Sequence, residues 1–239
     1  PSNSLNFLAK GDIVYDPSSF TIGMPGGIPG ETGAFNNVLT FTAARNIEFE
    51  NSLYMNTQNL LLAAGASYIS PFLGPVTGDP NGSVKLLGNY TVKTGGDVTV
   101  MGKDFSLLGG NCATLGCTPR TPQNEFGQEL TAGGTINLLN TGVINVQAGI
   151  STLASASGAR MTAETVKIGT KGGASNPKRL DIQGGKDPLG VVSGNSIGYA
   201  TNDEKDALID LRQANATIEA LGDMFVYLAS DATTPDSFG

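Results

Sequence analysis

The chain has 239 residues, enough for one sizeable core, and only 15% of them are charged, against roughly 25% in an average soluble protein. A net charge of −7 excludes the basic footprint that nucleic-acid phosphates require and any attraction to an anionic membrane surface. With 33 glycines, abundant Thr, Asn and Ser, and no apolar run near the ~18 residues a spanning helix needs, the composition describes a turn-rich all-β chain without membrane insertion.

The chain opens Pro1-Ser2-Asn3-Ser4, with no Met, no basic start and no apolar signal region, which reads as a mature product or a piece of a longer protein. A unit then begins at Leu5, Phe7, Ala9, Gly11-Asp12, Ile13 and Tyr15: apolar at every second position, a small residue, a two-residue corner, then a second alternating run. Alternation puts one strand face inward and the other outward. The corner pair is expected to supply left-handed dihedrals, which Gly, Asn and Asp tolerate. The same register returns at Leu39, Phe41, Ala43, Arg45-Asn46, Ile47 and Phe49, again from Tyr90 to Val100 around Gly96-Asp97, and from Gln128 to Leu138 around Gly134-Thr135. A weaker relative runs from Met161 through Ala163 to Val166 and Ile168, and the last clear copy runs from Ala216 to Val226 around Gly222-Asp223. Between the copies, Gly23–Gly33, Pro71–Gly82, Gly109–Gly127 and Gly169–Gly198 are rich in Gly, Pro and Asn and read as loops. A further strand is expected from about Ala207.

Two short strands joined by a two-residue corner build the wall of a coil rather than a hairpin. The fold expected is therefore an all-β, right-handed parallel β-helix with extended loops, a single domain over residues 1–239. At ~20–25 residues per coil it would hold about ten coils and form a rod roughly 45–50 Å long.

The chain has no histidine, which removes Ser-His-Asp and Cys-His triads and most catalytic zinc sites, and no Walker loop is present. No catalytic residue, cofactor or metal site is expected. Asp12, Asp97 and Asp223 share one position of the unit and could stack into an acidic stripe that binds calcium or acts on a glycan. Asn46 and Thr135 fill the same position, so hydrogen bonding to the turn backbone accounts for the set better. Glu48, Glu50 and Glu164 read as solvated outward positions, and Lys178, Arg179 and Lys186 as a solvated loop that could also form a small basic patch. Cys112 and Cys117, with four residues between them, read as a small disulfide loop of an oxidising compartment; two free thiols on a surface loop are the other reading.

The strings Leu39-Thr40-Phe41-Thr42-Ala43-Ala44-Arg45-Asn46-Ile47, Leu130-Thr131-Ala132-Gly133-Gly134-Thr135-Ile136-Asn137-Leu138 and Ala220-Leu221-Gly222-Asp223-Met224 resemble the β-helical repeats of filamentous haemagglutinin-type exoproteins of two-partner secretion. The resemblance implies a right-handed β-helix, an extracellular or bacterial cell-surface location, adhesion or fibre building, and an outer-membrane transporter as partner during export. The family's Asn-Pro-Asn motif is approached only by Asp79-Pro80-Asn81-Gly82, which reads equally as a turn.

The expectation is a non-catalytic structural or adhesive segment. It would meet a host-cell or surface glycan or protein receptor through its loops and stack end to end into a homo-oligomer or fibre. The alternatives are a polysaccharide-binding or polysaccharide-degrading β-helix, and a phage tail-fibre β-helix.

Overall fold

The computed structural model describes residues 4–16, 38–72, 74–88, 90–110, 128–148, 158–173, 175–183, 195–198 and 216–230. Among them the chain is all β, with no helix and hence none long and apolar enough to cross a membrane.

Three parallel sheets are visited in rotation. The first turn places β1 (Leu5–Ala9) in sheet A and β2 (Ile13–Tyr15) in sheet B. The second places β3 (Val38–Ala43) in sheet A, β4 (Ile47–Phe49) in B and β5 (Leu53–Tyr54) in C. The third runs β6 (Asn59–Ala63) in A, then an antiparallel hairpin of β7 (Tyr68–Ser70) and β8 (Gly74–Val76), then β9 (Val84–Gly88) in B and β10 (Thr91–Thr94) in C. Two further turns follow: β11 (Val98–Gly102), β12 (Phe105–Gly109) and β13 (Gln128–Ala132), then β14 (Thr135–Asn140), β15 (Val143–Gln147) and β16 (Ala159–Ala163). The last described turn is β17 (Thr165–Ile168) in A and β18 (Arg179–Gln183) in B. β19 (Asn195–Gly198) and β20 (Ala216–Ala220) then join sheet C, and β21 (Met224–Val226) closes sheet A.

Each strand pairs in register with its counterpart one turn away, so like side chains form columns. In sheet A, Leu5, Leu39, Leu60, Val98, Ile136, Val166 and Met224 fall in one column. Ile13, Ile47, Val84, Phe105, Ile144 and Leu180 form the matching column of sheet B. Sheet C supplies Leu53, Val92, Leu130, Met161 and Ile218. Apart from Leu5, which is exposed, these columns meet in one continuous apolar core. Each fully buried Leu, Ile or Phe in it contributes about 1.5–3 kcal/mol of transfer free energy. The first two turns add an aromatic cluster, with Phe7 stacked on Phe41 at 4.8 Å and Phe49 edge-on to both Phe41 and Tyr15.

Several expectations need correction. Among the described residues sheet A has seven strands, not the ten or so that ten coils require; six spacings of ~4.8 Å give about 29 Å along the stack. Only the steps from Leu39 to Leu60 and from Val84 to Phe105 take as few as 21 residues between successive turns, because the connections between sheets consume the rest of the chain. The stretch Pro71–Gly82 is not simply a loop, since β8 and the tip of the hairpin lie within it. Gly169–Gly198 likewise contains β18 and β19. The strand expected from Ala207, the loop Gly23–Gly33, and Lys186 lie outside the described residues.

The reason given for the corner glycines also changes. Gly11, Gly96, Gly134 and Gly222 do not have left-handed φ values. At Gly96 and its neighbour Gly95 glycine is required for space. A Cβ on Gly96 would lie 2.6 Å from the Gln58 carbonyl oxygen, and one on the adjacent Gly95 would lie 1.6 Å from that of Asn56.

Candidate functional site

The repeated unit occurs at two different corners. Gly11-Asp12 and Arg45-Asn46 turn the chain from sheet A to sheet B, whereas Gly96-Asp97, Gly134-Thr135 and Gly222-Asp223 turn it from sheet C to sheet A. Asp12 therefore does not stack with Asp97 and Asp223, and the acidic stripe is overturned. The unit encodes a local bend, used at two A–B corners and at three C–A corners.

Corner side chains do hydrogen-bond backbone, but across turns. At the A–B corner, Asp12 Oδ1 accepts from Asn46 N at 3.0 Å, Asn46 Oδ1 accepts from Ser83 N at 3.0 Å, and Asp104 Oδ1 accepts from Val143 N at 2.7 Å. At the C–A corner, Asn59 Oδ1 accepts from Asp97 N at 2.8 Å and Asp97 Oδ1 from Thr135 N at 2.6 Å. Each side chain thus satisfies an amide of the next turn that the sheets leave unpaired. Asp or Asn serves equally because only an acceptor oxygen is needed.

A shallow hollow of about 210 Å³ lies beside the A–B corner, lined by Asp12, Ile13, Val14, Asn46, Glu48, Ser83 and Lys85. Asp12 is held there by Arg45 at 2.9 Å. Glu48 and Glu50 are half-buried rather than freely solvated, while Glu164 is exposed as expected. A hydrogen bond from the Glu48 side chain, then partial burial and the charges of Glu48 and Asp16, holds the Glu50 carboxyl above the ordinary glutamate value. On the outward face of sheet C, Arg160 pairs with Glu219 at 2.6 Å, and the Thr91 hydroxyl donates to Glu129 at 3.2 Å. Arg179 bonds Asp181 along its own strand rather than forming a patch. Among the described residues no group of three or more His, Cys, Asp or Glu is placed to hold a metal ion. Cys112 and Cys117 lie outside the described residues.

The most exposed apolar groups sit on the hairpin. Phe72 at its tip is 93% exposed and Ile69 is 80% exposed. The hairpin root is firmly built. Gly65 N donates to Arg45 O, Ala66 N to Ala43 O and Asp79 N to Ala44 O, all at 2.7–3.0 Å, and Gly78 N donates to the Ser67 hydroxyl at 2.9 Å. Gly65, Gly78 and Gly82 approach one another so closely that a Cβ on any of them would meet backbone at 2.0–2.3 Å. Asp79-Pro80-Asn81-Gly82 is a turn at this root, with Asn81 N donating to Asp79 Oδ1 at 2.8 Å. Two sequence signals mark the feature in retrospect. Residues 51–78 carry no charge, and Tyr68-Ile69-Ser70 and Gly74-Pro75-Val76 flank a three-residue turn.

No family model, no curated protein and no solved structure matches the chain.

Proposed function

We propose that the three sheets are the walls of a right-handed parallel β-helix, and that the chain is a non-catalytic structural and adhesive segment of a bacterial surface or secreted exoprotein of the filamentous haemagglutinin type. Right-handedness follows from the near-universal hand of parallel crossover connections. One observation carries the functional reading: a wall repeated in register turn after turn, from which a rigidly rooted hairpin presents Ile69 and Phe72 to the surroundings. Holding a phenyl ring in water on a braced support makes sense where a receptor covers it. The receptor is a host-cell or surface protein or glycan, and the wall is a spacer that stacks end to end with further copies.

The test is adhesion of the purified chain to cells, matrix proteins and immobilised glycans, with Phe72→Ser and Ile69→Ser alongside. Both variants should keep the wild-type far-UV spectrum and lose at least tenfold in binding. Depolymerisation of a polysaccharide by the wild type, or binding indifferent to both substitutions, would sink the reading.

A further inference from the structure

One strand breaks the rotation. β19 precedes β20 in the chain yet lies outside it, so that sheet C runs β16, β20, β19. Every other strand of the three sheets is laid down in chain order. β20 pairs in parallel with β16 through Ala159 and Ala216, Met161 and Ile218, and Ala163 and Ala220. Its other edge faces the place where the next turn's sheet C strand belongs, and Asn195–Gly198 pairs there instead, with Ser196 opposite Thr217 and Ile197 opposite Ile218.

This occupant is poorly made for the position. It has four residues, three of them Asn, Ser and Gly, types depleted in strands. The edge it covers is well made. β20 is buried at all five positions, and its Ile-x-Ala pattern continues Leu130-x-Ala132 and Met161-x-Ala163. A strand of that same pattern, parallel and in register, is what sheet C accepts at the two preceding levels, and every copy of this chain carries three, β13, β16 and β20.

We propose that the outer edge of β20 is a strand-docking slot, that β19 is its exchangeable occupant, and that the incoming strand is a sheet C strand of a second copy of this chain. Strand addition at an open edge is a general mode of association, and a weak resident strand holds such an edge closed until a better one arrives. The inference rests on the end-to-end association in the reading above and specifies where it occurs.

Two variants test it, by light scattering across a concentration series. Ser196→Pro with Ile197→Pro removes the backbone donors of two adjacent residues, one of which faces β20, and should lower the concentration at which copies associate at least tenfold. Ser196→Cys with Thr217→Cys, in a Cys112→Ser, Cys117→Ser background, locks β19 onto β20; the oxidised protein should stay monomeric and regain association on reduction. A folded proline variant that associates no more than wild type overturns the slot. If the proline variant does not fold, the lock alone decides. Association untouched by the lock overturns the slot while leaving end-to-end stacking intact. No association in any form overturns both.

Discussion

The A–B and C–A corners are built from the same unit and behave differently. The C–A connections are short throughout: residues 55–58, 95–97, 133–134, 164 and 221–223. The A–B connections are equally short at 10–12, 44–46, 103–104 and 141–142, but they expand to 64–83, where the hairpin stands, and to 169–178. The difference lies in what each corner packs against. At the C–A corner backbone lies on backbone, with Gly95 N bonded to Met55 O, Gly133 N to Thr94 O and Gly134 N to Gly96 O at 2.8–3.1 Å. The Thr94 hydroxyl donates to the Gln58 carbonyl, fixing the bend further. At the first A–B corner the neighbour of Gly11 is the end of the flexible Arg45 side chain. The contrast is one of room for a side chain at the corner glycine, since backbone bonds such as Ala44 N to Ala9 O and Gly65 N to Arg45 O join the A–B corners as well.

The largest expected effect comes from exchanging that space. Gly96→Ala forces a Cβ to within 2.6 Å of backbone and should cost about 2–3 kcal/mol, as overpacking does. Gly11→Ala meets only the Arg45 guanidinium at 3.2 Å and should change stability by less than about 0.5 kcal/mol. Urea midpoints of the two variants measure the contrast. Equal losses would remove the distinction between the corners. Arg45 itself occupies the Gly11 position one turn on, so the A–B corner already tolerates a side chain there.

A smaller effect tests the ladder that both corners share. Asp97→Ala leaves the Thr135 amide without its acceptor and should cost about 1 kcal/mol, whereas Asp97→Asn, which keeps an oxygen in place, should be nearly neutral. Asp12→Ala at the first A–B corner should cost less, because its partners are solvent-exposed. If Asp97→Asn proved as damaging as Asp97→Ala, charge rather than acceptor geometry would be the source of stability.

Much of the wall is legible in the sequence because it is local. The alternations from Leu5, Leu39, Gln128 and Ala216 all become strand, corner and strand, and Ala43, Ala132, Ala163 and Ala220 mark strand ends where the wall bends inward. Which corner each copy occupies is not legible, since the same ten residues serve A–B at Asn46 and C–A at Asp97. The coil count failed for a related reason: insertions lengthen the chain between walls without adding a turn, as does the hairpin between Leu60 and Val98. β19 is hidden twice over, by a composition that argues against strand and by an order in space that runs against order in the chain. The hairpin was readable from its turn and its uncharged flanks, but its three prolines and two glycines between Pro71 and Pro80 read as loop.

The smallest effect again separates the corners, this time by charge. The A–B side gathers Asp12, Arg45, Glu48 and Lys85, with Glu50 beside Glu48 just past the end of β4, whereas the C–A corner holds few ionisable groups. Because Glu50 holds its proton to higher pH in the fold than in the unfolded chain, the folded state binds more protons just above the ordinary glutamate value. Stability from this group is therefore fully present below that value and falls as pH rises through the raised one. Glu50→Gln keeps the side chain's hydrogen-bonding capacity and removes the titration. The variant should gain on wild type between pH 4 and pH 7, by a small amount because the group remains partly open to solvent, which screens it. Thermal midpoints at the two pH values give the sign: a gap that closes as pH rises would mean that Glu50 is not the source of the pH dependence.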